Sequence, residues 1–136
     1  MRLLIVSNRL PITLEIEKEK IHVRESVGGL VSGLSSYLDY LKASPKTDWK
    51  FVWIGWPGVT VPDRMKEKVR KMLMGYQAYP VFLSETMMDD FYYGFCNKTI
   101  WPLFHYFPTF VNFEESHWIQ YKKVNEIFCS TVLEIL

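Results

Sequence analysis

The sequence predicts an α/β fold with a mainly parallel sheet, and two features carry the prediction. Short apolar runs of strand length, Leu3 to Val6 and Phe51 to Ile54, alternate with longer stretches of helical periodicity. The runs are continuously apolar rather than alternating, as strands buried on both faces of a parallel sheet must be. Each ends in strand-terminating residues: Ser7-Asn8 after the first, Gly55-Trp56-Pro57-Gly58 after the second.

Between the first run and the first helix, Ile12, Leu14 and Ile16 alternate with Thr13 and Glu15, and Ile21 to Arg24 alternates likewise. Glu17-Lys18-Glu19-Lys20 separates them as a charged turn. The segment from about 11 to 25 therefore reads as a β-hairpin inserted after the first strand. Gly28-Gly29 then opens a helix with Leu30, Leu34, Tyr37, Leu38 and Leu41 on one face. Ala43 to Asp48, with Pro45, is a loop. Asp63 to Met74 is a basic amphipathic helix that turns Met65, Val69, Met72 and Leu73 inward. Ala78 to Leu83 is a third short strand, placed at an edge or irregular by Pro80.

Ser84 is an N-cap candidate with Glu85 in the turn that follows, and a helix carries Met88 to Phe95. Trp101-Pro102 is read as the end of that pattern, and Leu103 to Phe113 as aromatic and irregular. From Glu115 to Leu136, Trp118, Tyr121, Val124, Phe128, Val132 and Ile135 recur at helical spacing. About three core strands are visible. The chain ends inside a helix without a C-capping glycine, so the domain, residues 1–136, is expected to be incomplete.

Composition narrows the function. The 136 residues are 49% hydrophobic and 23% charged, with net charge +1. Nucleic-acid binding needs a larger basic surface than this. No apolar run reaches the roughly 20 residues of a membrane span. Cys96 and Cys129 have neither a CxxC partner nor a histidine at ligand spacing, so free buried thiols, no metal and a cytoplasmic location are expected.

Four constellations can carry chemistry. Ser7-Asn8-Arg9 lies at the carboxyl end of the first strand, where open α/β sheets bind ligands, and an arginine there can grip a phosphate. A surface arginine paired to a carboxylate is the equal alternative. Gly28-Gly29-Leu30 opens a helix, where free N–H groups favour anions, but it lacks the spacing of a dinucleotide fingerprint and the lysine of a P-loop. Trp53 and Trp56 fall on opposite sides if their strand continues, so one of them can stack on a sugar. Phe91 to Asn97 and Trp101 to Tyr106 are aromatic beyond ordinary packing, with Tyr92 and Trp101 as rim candidates. His105 reads as a structural histidine, His22 as a hairpin residue and His117 as a surface residue. Asp89 and Asp90 point about 100° apart on a helix and read as its solvated start rather than a carboxylate pair.

Taken in order, these residues resemble the trehalose-6-phosphate synthase family. The matching pieces are Ser7-Asn8-Arg9, Gly28-Gly29-Leu30, Gly55-Trp56, the block from Tyr92 to Tyr106 with Asn97 and Trp101-Pro102, and Tyr121-Lys122-Lys123-Val124-Asn125. The resemblance spans the chain. It implies the Rossmann-like N-terminal domain, here incomplete, of a two-domain B-type retaining glycosyltransferase that moves glucose from UDP-glucose to glucose 6-phosphate. Arg9 would bind the acceptor phosphate, Trp56, Tyr92 and Trp101 would line the acceptor pocket, and Gly28 and Gly29 would approach the donor. No cofactor beyond the donor is implied.

The family's His-Asp-Tyr strand motif, and the Arg/Lys pair that stabilises the leaving diphosphate, are not among these residues. No catalytic residue is therefore assigned within this chain, and the chain alone is expected to be inactive. The expected partners are the two substrates and a completing C-terminal domain or second chain, with homo-oligomerisation open. The alternatives are a non-catalytic sugar-phosphate-binding or regulatory subunit, and a related synthase with another phosphorylated acceptor.

Overall fold

The structure is a computed structural model that describes residues 2–26, 29–43 and 50–136, with the side chains of residues 2, 30, 35, 39 and 41–43 outside the description. The chain divides into two compact units, Met1–Phe82 and Leu83–Leu136.

The first unit holds a parallel three-stranded sheet in the order β1 (Arg2–Arg9), β4 (Lys50–Trp56), β5 (Ala78–Pro80). The inserted hairpin is β2 (Ile12–Glu17) and β3 (Lys20–Glu25), antiparallel and in register from Ile12↔Glu25 to Glu17↔Lys20. Its turn residues Lys18 and Glu19 both have positive φ, the twist that tight hairpins favour. Helices α1 (Gly29–Ala43) and α2 (Asp63–Met74) complete the unit.

One apolar core joins all these elements. Leu10, Ile12 and Leu14 pack with Leu38 of α1, Trp53 of β4, and Met65, Val69 and Leu73 of α2. The buried α2 residues recur at four-residue spacing, which puts them on one face. Tyr37 departs from the expected α1 face: it is exposed, while Leu38 beside it is buried. The side chains of Leu30 and Leu41, and the loop residues through Trp49, lie outside the described residues. At the start of α2, the Lys66 ammonium bonds Asp63 at 2.6 Å and holds its carboxyl below the usual value.

β4 runs to Trp56 rather than stopping at Ile54, because β1 continues to pair with it as far as Arg9↔Trp56. β5 is shorter than Ala78 to Leu83. Its last ladder contact is Val81 N–H donating to Gly55 O at 2.8 Å, beyond which β4 leaves through Pro57-Gly58 and offers no partner.

The second unit is helical. Ser84 caps α3 (Glu85–Met88), its hydroxyl accepting from the Met87 N–H at 3.1 Å. The chain then continues as a π-helix over Asp89–Ile100 and as α4 over Trp101–Phe104. This corrects two expectations. The helix is not confined to Met88–Phe95, and Trp101-Pro102 does not break it, because Ile100 and Trp101 keep helical backbone angles and the Lys98 carbonyl, which Pro102 cannot bond, accepts the Asn112 N–H at 2.8 Å instead. A short 3₁₀ turn, Pro108–Phe110, precedes α5 (Glu115–Ile135). Phe91 and Phe95 of the π-helix pack on Tyr121 of α5 at ring separations of 5.7 and 4.8 Å, and Phe95 also meets Trp118 at 5.3 Å. Each such pair contributes about 0.5–1.5 kcal/mol beyond its burial. No helix among the described residues is long and apolar enough to cross a membrane.

Leu73 is fully buried in the core of the first unit. Leu73→Ala is expected to cost about 2–5 kcal/mol in urea unfolding followed by the signal of that unit. A loss below about 1 kcal/mol would show that the core is not packed as described.

Candidate functional site

The first unit carries the candidate site at the carboxyl ends of β1 and β4. The register there slips by one residue: Val6 pairs with Ile54 and Arg9 with Trp56, so β1 has an extra residue and bulges at Ser7-Asn8. The bulge lies directly over Gly55. A Cβ at that position would sit 2.7 Å from Ser7 O and 3.0 Å from both Arg9 C and Leu10 N, so only glycine permits the approach. Leu10 N–H then donates to Trp56 O at 2.9 Å and closes the end of the ladder.

This geometry places Arg9 over Trp56, with the guanidinium carbon 5.3 Å from the ring centroid. Arg9 Nη2 also donates to Thr13 Oγ1 at 3.4 Å, and Thr13 shares a 2.8 Å hydrogen bond with Ser26 Oγ. No carboxylate lies within ion-pair distance of Arg9 among the described residues. Arg9 is exposed and held from one side by an aromatic face, and among the described residues the Thr13 hydroxyl is the one acceptor for its five N–H donors. Gly58, at φ +87°, borders it; a Cβ there would approach Arg9 Nη2 to 2.9 Å. Asn8 Oδ1 and Trp56 Nε1 are buried without a hydrogen-bond partner among the described residues. Trp53, in contrast, belongs to the core.

Gly29 is the first residue of α1, and a Cβ there would meet nothing within 4 Å. Packing against the described residues therefore does not require glycine at this position. Gly28 lies outside the described residues.

Tyr92 and Trp101 belong to the second unit. Tyr92 is half-buried and packs edge-on against Tyr93. Trp101 is exposed and stacks on His105 at 4.1 Å and 18°, while His105 Nδ1–H donates to Trp101 O at 2.7 Å. Both polar and stacking contacts of His105 thus serve Trp101.

Three residues differ from their sequence reading. His117 is not on the surface: a Cβ at Gly94 would come within 2.9 Å of its ring, and its Nε2 lies 3.6 Å from Glu114 and 3.9 Å from Asp90. Asp90 is accordingly not a purely solvated helix start. The signal was Gly94 on an otherwise bulky aromatic helix, which marks close approach by another element. Cys129 is exposed rather than buried; Cys96 is half-buried. No group of metal-ligating side chains assembles among the described residues.

The sheet and its helices superpose on the trehalose-6-phosphate synthase OtsA with a TM-score of 0.66 at 28% identity, over all of this chain and 26% of that one. The E. coli structure bound with UDP-2-fluoro glucose gives 0.64 at 28% identity, covering all of this chain and 25% of that one. The fold is thus the N-terminal part of a B-type glycosyltransferase. A family model described as glycosyltransferase family 20 matches residues 1–136, and the chain belongs to that family. It is 44% identical over 133 residues to the alpha,alpha-trehalose-phosphate synthase (UDP-forming) of Botryotinia fuckeliana, over 96% of this chain and 24% of that protein. The chain spans about a quarter of the length of these relatives.

Burial pushes the Cys96 thiol above its ordinary value of 9.0. The neutral form is favoured in the folded chain, so as pH rises past 9.0 the unfolded chain ionises first and stability falls. At pH 8, iodoacetamide is expected to label Cys129 well before Cys96, as read by peptide mass spectrometry. Equal rates would contradict the burial of Cys96.

Proposed function

We propose that the chain forms the acceptor side of a trehalose-phosphate synthase. The reaction is transfer of glucose from UDP-glucose to glucose 6-phosphate with retention, giving trehalose 6-phosphate. The observation that carries this reading is the Arg9 guanidinium, exposed over Trp56 at the carboxyl end of β1 with no carboxylate partner among the described residues. A phosphate monoester supplies the missing charge and accepts a bidentate pair of N–H bonds. The Trp56 ring beneath gives the site an aromatic wall of the kind that sugar rings stack on.

Family membership and the E. coli relative bound with UDP-2-fluoro glucose support a UDP-sugar donor. The open N-terminus of α1 at Gly29 suits the donor's diphosphate, since helix N-termini favour anions. Tyr92 and Trp101 are proposed for the acceptor pocket. Departure of UDP needs charge neutralisation in the transition state. The family's Arg/Lys pair for that step is not among these 136 residues, so the chain alone should bind substrate without turning it over.

Binding is tested by thermal shift and calorimetry on this chain. Glucose 6-phosphate at millimolar concentration is expected to raise the melting temperature, and glucose is not. Arg9→Ala is expected to weaken glucose 6-phosphate binding about 10-fold or more, as loss of a charge-assisted hydrogen bond would. Equal shifts for wild type and Arg9→Ala would remove Arg9 from the site.

A further inference from the structure

We infer that Ser7 and Trp53 act together as a positioning pair for Arg9, transmitting the rigidity of the core to the exposed guanidinium. The inference rests on the reading of Arg9 as the phosphate-binding group.

Trp53 is almost wholly buried, yet its indole N–H must be satisfied, and it donates to Ser7 Oγ at 2.7 Å. That hydroxyl donates in turn to Arg9 O at 2.6 Å. The two bonds run in one direction, from indole N–H to hydroxyl to carbonyl, and each polarises the next. Their location gives them a task. The β1 bulge interrupts the regular ladder between Val6 and Arg9, so Ser7 and Asn8 have no register partner on β4. The Ser7 hydroxyl supplies a replacement bond to the carbonyl of Arg9.

Three contacts then define the Arg9 backbone. Gly55 presses on the bulge from β4, the Ser7 hydroxyl holds the carbonyl, and Leu10 N–H is tied to Trp56 O. An arginine has four side-chain torsions, and a backbone fixed at its root is a condition for a repeatable guanidinium position over Trp56. Neither Ser7 nor Trp53 needs to touch the ligand. Their effect is to lower the ordering cost that Arg9 meets when phosphate binds.

The test is calorimetry of the whole 136-residue chain with glucose 6-phosphate, and with inorganic phosphate as a second probe, well below each variant's melting temperature. Ser7→Ala and Trp53→Phe are each expected to weaken binding about 3- to 10-fold, the effect of one hydrogen bond. The double variant should be no weaker than the weaker single one, because both remove the same link. Ser7→Thr, which keeps the hydroxyl, should restore near-wild-type affinity. A merely structural role would lower the melting temperature and leave affinity unchanged, and that result for Ser7→Ala overturns the inference even if Trp53→Phe fails to fold. If the wild type binds neither probe, the reading of Arg9 fails. The positioning pair is then decided by the Arg9 Nε–H resonance, which Ser7→Ala shifts if the pair orients Arg9 and leaves in place if it does not.

Discussion

The close approach of β1 to Gly55 is the constraint on which the candidate site depends. A strand that stayed in register would carry Arg9 past the end of β4 on a different face. The extra residue at Ser7-Asn8 turns it instead, and the backbone can turn only because β4 presents a hydrogen where any other residue has a Cβ. From that contact follow the pairing of Arg9 with Trp56, the seat of the guanidinium on the indole ring, and the tie from Leu10 to Trp56. The core below, with Trp53, Val69 and Leu73, is the ordinary apolar packing that keeps β4 fixed while β1 bends over it.

The chemistry of the site is one of uncompensated charge. An exposed arginine usually gains little from a neighbouring carboxylate in water, and here it has none within reach among the described residues. It is held by an aromatic face and one threonine hydroxyl, both of which leave its positive charge intact. Such a group is suited to a dianion delivered by a ligand.

Much of the first unit was legible from periodicity. The hairpin, the α2 helix from Asp63 to Met74 and the core face of Met65, Val69 and Leu73 follow directly from alternation and four-residue spacing. The end of β4 was not, because a Gly-Trp-Pro-Gly run reads as a turn, and only pairing with β1 carries the strand on to Trp56. The π-helix was also hidden. Its hydrogen-bond pattern has no side-chain signature, and Pro102 looks like a break because nothing nearby in sequence shows that Asn112 N–H takes the Lys98 carbonyl. At the site, the placement of Arg9 at a strand end was visible in Ser7-Asn8-Arg9, whereas the Ser7 hydroxyl's bond to Arg9 O and the close approach at Gly55 depend on a one-residue slip. His117 was misread for a similar reason: the space it fills is made by Gly94, twenty-three residues earlier in sequence.

The most direct measurement of the central claim is a titration of glucose 6-phosphate followed by the Trp56 indole N–H resonance. That group is buried without a hydrogen-bond partner among the described residues and lies in the ring on which Arg9 rests. A saturable shift of this resonance is expected with glucose 6-phosphate, a smaller one with inorganic phosphate, and none with glucose. Shifts confined to the basic helix α2, with its Arg64, Lys68 and Lys71, and an unmoved Trp56 would contradict it.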